Sequence, residues 1–157
     1  MIMRRKDREI TDFKEMIEIL EQCTCARLGF NEDGGAYILP LNFGYRTEGD
    51  KLTLYFHGAG SGKKAELLSE NPYVGFEADT AHELAEGDTA CKYSYKYASI
   101  FGKGKAEIIE NSEEKAFGLK CFMAHYSDMS FEFDQKMLDA VCVFKLTVTE
   151  WTAKAHI

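Results

Sequence analysis

The chain has little of what marks unusual protein classes, with two prolines and one tryptophan in 157 residues. That composition argues against a proline-rich linker or a collagen-like chain. No apolar run approaches the length of about 20 residues that a membrane-spanning helix needs. The N-terminus is charged and lacks the apolar core of a signal peptide. With 45% hydrophobic and 29% charged residues, the sequence is typical of a globular protein. We predict one domain over residues 1–157, located in the cytoplasm.

Basic charge and metal-binding spacings are also scarce. The formal net charge of -7 argues against non-specific binding of nucleic acid, although a local basic site for a small anion is compatible with it. The four histidines form no i, i+4 pair and the five cysteines no C-x-x-C pair, so we predict no metal site. We interpret the cysteines as reduced, buried thiols. They are Cys23, Cys25, Cys91, Cys121 and Cys142.

Local signals predict three helices. Asp12 with Glu15, and Asn111 with Glu114, have the spacing of a capping box, in which the first side chain caps a helix N-terminus. They predict helices from about residue 13 to 22 and from 112 to 125. A shorter helix is predicted over residues 63–69, because proline at position 72 disfavours helical backbone at the residue before it. Residues 1–7 are predicted to form an arm that is mobile or contacts a partner.

Alternating and aromatic-rich segments predict strands, with hairpin turns at residues 31–35 and 47–50. The predicted strands cover residues 25–30, 36–45, 51–56, 73–79, 92–109 and 141–148. Residues 80–88 are predicted as a loop and residues 150–157 as a tail. The links between strands are too short for a doubly wound parallel sheet, because parallel strands need long crossovers. We therefore predict a mainly β, α+β protein, an antiparallel barrel with peripheral helices.

The stretch from residue 54 to 68 is the main candidate for a ligand site. A predicted strand breaks at a histidine, passes three glycines and enters a helix through two lysines: His57, Gly58, Gly60, Gly62, Lys63 and Lys64. Glycines let the backbone approach a ligand closely, and a helix start with two lysines favours a phosphate. The spacing is neither a P-loop, since His57 stands where its first glycine belongs, nor a Rossmann fingerprint. Alone, the pattern also fits an ordinary loop with exposed lysines, which is the commoner case.

Two further features of the sequence concern ligand binding. Pro40 cannot donate a ladder hydrogen bond, so it marks a strand edge or break that exposes backbone groups around Leu41 and Asn42. Tyrosines alternate with polar residues from 92 to 97, which predicts one aromatic face of a strand. We interpret this stripe as core, with stacking on a planar ligand as the alternative.

With these segments in place, the chain resembles a known family. The resemblance rests on MRRKDREI (3–10), ILPLNFGY (38–45), LYFHGA (54–59), GKK (62–64), NPYVGFE (71–77) and YASI (97–100). In this order and spacing they resemble the FMN-binding split-barrel proteins of the pyridoxamine 5'-phosphate oxidase superfamily, in particular its nitroimidazole-resistance branch. The resemblance covers nearly the whole chain and implies a Greek-key split β-barrel that forms a homodimer with FMN at the subunit interface.

The resemblance also implies the roles of individual residues. Pro40, Leu41 and Asn42 would border the isoalloxazine ring, and His57, Gly58 and Ala59 would make its other contacts. The phosphate would lie at Gly62, Lys63 and Lys64, so the resemblance makes phosphate binding the main hypothesis for this loop. The adjacent strand would contribute Tyr97 and Ser99.

Two positions depart from the family pattern. Family members often have arginine where this chain has Ala98, so a phosphate or substrate contact is in doubt, with Lys96 or Lys103 as replacement. The C-terminal segment 151–156 also differs from the usual ending.

The resulting hypothesis is an FMN-dependent oxidoreductase that passes electrons from a reduced nicotinamide to a small organic acceptor, such as a nitroaromatic compound. His57 is a candidate proton or hydrogen-bond donor beside the ring, or else contacts only the cofactor or its own backbone. The alternative is a non-catalytic module that binds FMN, haem or a deazaflavin, and Ala98 favours this alternative. An empty structural barrel is a third hypothesis. Oxidation of pyridoxamine phosphate itself is disfavoured.

Overall fold

Eight strands and four α-helices lie within residues 4–157, the part of the chain that the computed structural model describes. The strands are β1 (Glu9–Ile10), β2 (Ala26–Glu32), β3 (Gly35–Leu41), β4 (Gly44–Glu48), β5 (Lys51–Gly58), β6 (Tyr73–Ala85), β7 (Ser94–Ile109) and β8 (Cys142–His156). The helices are α1 (Phe13–Gln22), α2 (Lys63–Glu70), α3 (Ser112–Tyr126) and α4 (Gln135–Asp139). Residues 1–3, part of the predicted N-terminal arm, lie outside the described range. No helix within residues 4–157 is long and apolar enough to span a membrane.

The strands form one antiparallel sheet in the order β3-β2-β6-β7-β8-β5-β4, and β1 pairs with β8 beside it. Asn42 and Phe43 link the two outermost strands, β3 and β4, which form no ladder with each other within the described residues. The sheet therefore curls into a split barrel with its helices outside, which confirms the predicted fold class. The barrel interior is filled by apolar side chains from opposite walls, among them Leu28, Phe30, Leu54, Phe56, Ile100 and Phe144.

The predicted helix caps are present. The Asp12 carboxylate accepts a hydrogen bond from the Glu15 N–H at 3.0 Å, and the Asn111 side chain accepts one from the Glu114 N–H at 2.9 Å. Each cap satisfies a donor that has no partner inside its own helix. The helices α1 and α3 therefore begin where the sequence predicts.

A second apolar layer lies outside the barrel, between α3 and the outer face of β5 and β8. It contains Tyr55, Ile109, Leu119, Leu138 and Val143. Two glycines permit this contact. A Cβ atom at Gly44 would lie 2.3 Å from the Phe122 backbone, and one at Gly118 would lie 2.7 Å from the Tyr55 ring.

Several predicted boundaries are wrong. The segment predicted as one strand over 36–45 is divided into β3 and β4. The predicted loop at 80–88 is largely strand, since β6 continues to Ala85 past an irregularity at Ala81, whose φ is 58°. The predicted tail is the second half of β8. The last of these segments is held by β7, 47 to 59 positions earlier in the chain, a pairing that its local sequence does not encode.

Two predictions about burial also need correction. Tyr93 and Tyr95 are 49% and 52% exposed, so the tyrosine stripe is not core at these positions. Among the thiols, Cys23 is buried, as predicted, whereas Cys91 is exposed.

Candidate functional site

The glycine-rich loop joins the end of β5 to the start of α2. The sequence predicts that the strand breaks at His57. The strand instead continues through His57 to Gly58, because His57 pairs with Val143 of β8. Gly62 caps α2 with a φ of 99°, a left-handed conformation that side chains with a Cβ atom rarely adopt. A Cβ atom at Gly58 would lie 2.8 Å from Lys64 Nζ. The turn therefore needs glycine at position 62, and Lys64 Nζ closely approaches the backbone at Gly58.

The two lysines at the start of α2 point in different directions. Lys63 Nζ lies 2.5 Å from Glu32 Oε1 and 4.7 Å from the centroid of the Tyr37 ring. Lys64 Nζ lies 4.8 Å from the centroid of the Phe144 ring at the end of the barrel. Lys64 is half-buried and has no carboxylate within salt-bridge distance in residues 4–157. Burial is the main cause that lowers its pKa.

His57 stands on the outer face of β5, beside α3. Its ring meets the Phe122 ring edge to face, with the centroids 4.5 Å apart. Burial, and then the nearby charge of Lys64, lower the pKa of His57 below its ordinary value of 6.5. The ring makes no hydrogen bond with any residue in 4–157. It is therefore a neutral imidazole at pH 7, with both nitrogens available to a ligand.

Asn42 lies beside Tyr126 at the end of α3, with its side-chain nitrogen 3.4 Å from the Tyr126 hydroxyl. The Tyr126 hydroxyl donates to the Thr24 carbonyl at 3.0 Å and accepts from the Phe43 N–H at 2.9 Å. The Asn42 side-chain amide donates to the same carbonyl at 2.8 Å. The Phe122 ring bridges to His57, because its centroid is 5.4 Å from that of Tyr126. Asn42 thus joins the His57 end of the site, with Pro40 and Leu41 at the end of β3.

Tyr97 and Ser99 occupy a different place, on the outer face of β7. Arg8 donates to the Tyr97 hydroxyl at 3.4 Å, and Lys154 Nζ lies 5.5 Å from the centroid of the Tyr97 ring. Ser99 is only 8% exposed, and its hydroxyl finds no hydrogen-bond partner in the described part of the chain. A buried hydroxyl without a partner is costly, so it is a group that a bound ligand would satisfy.

These two groups of residues are far apart within one chain. His57 pairs with Val143 and Ser99 with Lys154, which are eleven positions apart on β8. At about 3.3 Å per residue, that is roughly 35 Å of strand. One chain therefore brings together Asn42, His57 and the loop through Lys64, but it does not bring Tyr97 and Ser99 to them.

The departures from the family pattern have simple structural explanations. Ala98 points into the barrel core, where it is 3% exposed. Lys96 and Lys103 form ion pairs with Glu83 and Glu150. The variant C-terminal segment forms β8, which places Lys154 directly beside Ser99.

Sequence reasoning missed two residues that shape this region, Phe122 and Tyr126. Both lie on α3, Phe122 inside the predicted helix and Tyr126 one residue past its predicted end, but no sequence signal distinguishes them from packing residues. Lys154 was missed as well. Its signal was the alternation of small and polar residues over 153–156, a pattern typical of a strand.

Comparisons with known proteins agree with the fold. The family model described as pyridoxamine 5'-phosphate oxidase matches residues 12–155. A solved structure of a candidate 5-nitroimidazole antibiotic resistance protein from Bacteroides thetaiotaomicron is 32% identical. It superposes with a TM-score of 0.81 over 94% of this chain and 86% of the other.

More distant structures share the fold alone. The flavocytochrome Anf3 from Azotobacter vinelandii is 21% identical with a TM-score of 0.81, over 99% of this chain and 72% of that one. The FAD and heme binding protein from Mycobacterium smegmatis is 18% identical with a TM-score of 0.81, over 94% and 73%. A search of the curated proteins finds no match. The match of the family model over almost the entire chain shows that this protein belongs to the pyridoxamine 5'-phosphate oxidase family.

Proposed function

We propose that this protein is an FMN-dependent oxidoreductase that passes electrons from a reduced nicotinamide to a small organic acceptor. The observation that carries the proposal is the half-buried ammonium of Lys64, which has no carboxylate partner within residues 4–157 and lies beside a glycine turn. A cation held this way costs free energy unless an anion joins it. The flavin-binding relatives of the same fold support a flavin phosphate as that anion.

The residues present fit FMN in chemical type. The start of α2 offers N–H groups to a phosphate, and Lys63 and Lys64 offer charge. Asn42, His57, Gly58 and Ala59 would border the ring at the adjacent end of β5, with Pro40 and Leu41 next to Asn42. The buried Ser99 hydroxyl is a further group that needs a partner.

We propose that two copies of the chain form the site as a homodimer. One chain holds Tyr97 and Ser99 roughly 35 Å along β8 from His57, a greater length than one FMN spans. A second copy would supply Tyr97 and Ser99 to the first copy's loop. Tyr95 on the same strand and Tyr93 just before it are exposed, which is compatible with such a contact.

When bound, FMN would supply two-electron redox chemistry between a reduced nicotinamide and the acceptor, whose reduction also takes up two protons. His57 would hold a hydrogen bond or deliver one of these protons at the substrate. It is neutral at pH 7, so it can donate from one nitrogen and accept at the other. The relative with 32% identity supports a nitroaromatic compound as the acceptor.

The first experiment is purification, followed by an absorbance spectrum and mass analysis of any released cofactor. We expect flavin bands, FMN by mass, and oxidation of a reduced nicotinamide in the same sample. A colourless protein that gains no thermal stability from added FMN would contradict the proposal.

His57→Ala should lower turnover and leave the flavin bound. Unchanged turnover would remove the catalytic role of His57.

The alternative, a non-catalytic module for FMN, haem or a deazaflavin, was favoured by Ala98. Because Ala98 points into the core, that position says nothing about a ligand outside the barrel. The two functions separate in one sample: a yellow protein that does not oxidise nicotinamide is a binding module.

A further inference from the structure

A cavity of about 290 Å³ lies beside His57, between α3, α4 and the start of β8. Six of its seven lining side chains are apolar, and they are Leu119, Phe122, Met123, Phe133, Met137 and Val141. The seventh is His57. The volume is at the lower end of the range for pockets that hold small molecules.

This cavity opens on the packed layer beneath it and shares Leu119 with that layer. Leu119 is 8% exposed, whereas Met137 in the same lining is 54% exposed. The helix α4 leaves this apolar side chain uncovered within the described residues. An apolar concavity that remains open to solvent is typical of a ligand site.

The lining offers one hydrogen-bonding side chain and no carboxylate. The acidic residues that flank the lining residues of α4 already have partners. Glu132 accepts from Lys120 at 3.0 Å, Asp134 from the Met137 N–H at 2.8 Å, and Asp139 from Gln135 at 2.7 Å. A cationic ligand would therefore be buried without a counter-charge, which costs free energy. An anionic ligand would find no cation among the lining residues. Lys64, whose charge acts on His57, does not line the cavity and lies over the Phe144 ring instead.

We propose that this cavity binds the apolar ring of an uncharged aromatic compound, with its polar substituent hydrogen-bonded to His57. This proposal rests on the proposed function, because it identifies the bound compound as the electron acceptor. The ring packs against Phe122, Phe133 and the methionines, whose flexible side chains adapt to ring shape. Selection by charge, rather than by a tight steric fit, then decides which compounds enter.

The test uses the full chain without added flavin and three probes with the same two-ring body: naphthalenemethanol, naphthoate and naphthylmethylammonium. Equilibrium dialysis measures their binding. We expect the alcohol to bind about tenfold more tightly than either ion. Met137→Glu, at an exposed position, should weaken binding of the alcohol about tenfold and strengthen binding of the cation. Met129→Glu is the matched control, because Met129 is 69% exposed and does not line this cavity. It should change neither affinity.

Equal binding of the three probes would overturn the proposal, as would an identical effect of the two methionine variants. Loss of the proposed function appears in a different measurement, as a failure to retain flavin. Charge-selective binding to the flavin-free chain is measured independently of that result.

Discussion

The Nζ atom of Lys64 lies over the ring of Phe144, 4.8 Å from its centroid. Lys63, its neighbour in sequence, instead reaches Glu32 on β2. Adjacent residues of a helix are about 100° apart around its axis, so their side chains leave in different directions. A phosphate that binds both lysines must therefore draw Lys63 away from Glu32.

We expect Glu32→Gln to tighten FMN binding a few-fold. Lys63 is then free to turn to the phosphate, and the lost ion pair is exposed and contributes about 1 kcal/mol or less. Titration of flavin fluorescence measures the affinity. Asp33→Asn removes the same charge one residue further on, where residues 4–157 contain no ion-pair partner, and should change the affinity less. An equal effect of both variants would mean that the loss of one negative charge, and not the release of Lys63, tightens FMN binding.

Lys64→Met should raise the pKa of His57 towards 6.5 without restoring it fully. Burial is the larger cause of the lowered pKa, and it remains in the variant. A histidine titration by NMR measures this change, and Lys63→Met should leave the His57 midpoint unchanged.

Because the pKa of His57 is lower in the folded chain than in the unfolded one, protonation of His57 makes stability depend on pH. The unfolded chain binds a proton at His57 more readily than the folded one, so stability is lost as pH falls below about 6.5. His57→Gln should flatten this part of the profile of unfolding free energy against pH. If the slope of the profile is unchanged in the variant, the pH dependence of stability comes from other groups.

Ser99→Ala should stabilise the flavin-free protein and weaken FMN binding. The variant removes a buried hydroxyl without a partner, which costs about 1–3 kcal/mol in the native state. Urea unfolding measures the gain, and flavin titration the loss. Thr152→Val is the control, because its hydroxyl is also buried without a partner in the described residues. It should stabilise the protein without weakening FMN. Weaker FMN binding in both variants would argue against a specific role for Ser99.

Tyr126→Phe should destabilise the protein by about 1–3 kcal/mol, because Phe43 N–H loses its acceptor and the Thr24 carbonyl loses a donor. Hydrogen exchange should rise at Phe43. Tyr93→Phe is the matched control, since Tyr93 is 49% exposed and bonds no other described residue through its hydroxyl. The free energy of unfolding of the Tyr93→Phe variant should stay within about 0.5 kcal/mol of the wild-type value.

Gly44→Ala should cost at least about 2 kcal/mol, because its Cβ atom would lie 2.3 Å from the backbone of α3, which cannot yield as a side chain can. Gly29→Ala is the control. Its Cβ atom would lie 4.0 Å from the nearest atom, an ordinary contact. Thermal unfolding compares the two, and equal stability would show that α3 can shift at low cost.

The helix caps and the first hairpin follow from signals whose hydrogen-bond partners are close in sequence. The caps at Asp12 and Asn111 each bond an N–H three residues on, and the turn before β3 joins two strands that pair directly. The error at residues 150–156 has the opposite cause, because these residues pair with residues of β7 that lie 47 to 59 positions earlier in the chain. Residues 80–85 pair with β7 across a short connection, and the irregularity between Thr80 and Glu83 interrupts the alternation that is typical of a strand.

The sequence by itself determined the helix starts, the antiparallel hairpins and the family of this protein, because these depend on short-range hydrogen bonds and on the order of motifs. Only the tertiary structure decided that Lys63 and Lys64 diverge, that Ala98 faces the core, and that a cavity opens beside His57. It also decided that Ser99 lies far along β8 from His57. Those relationships depend on strand register and helix packing, which bring distant residues together or keep them apart.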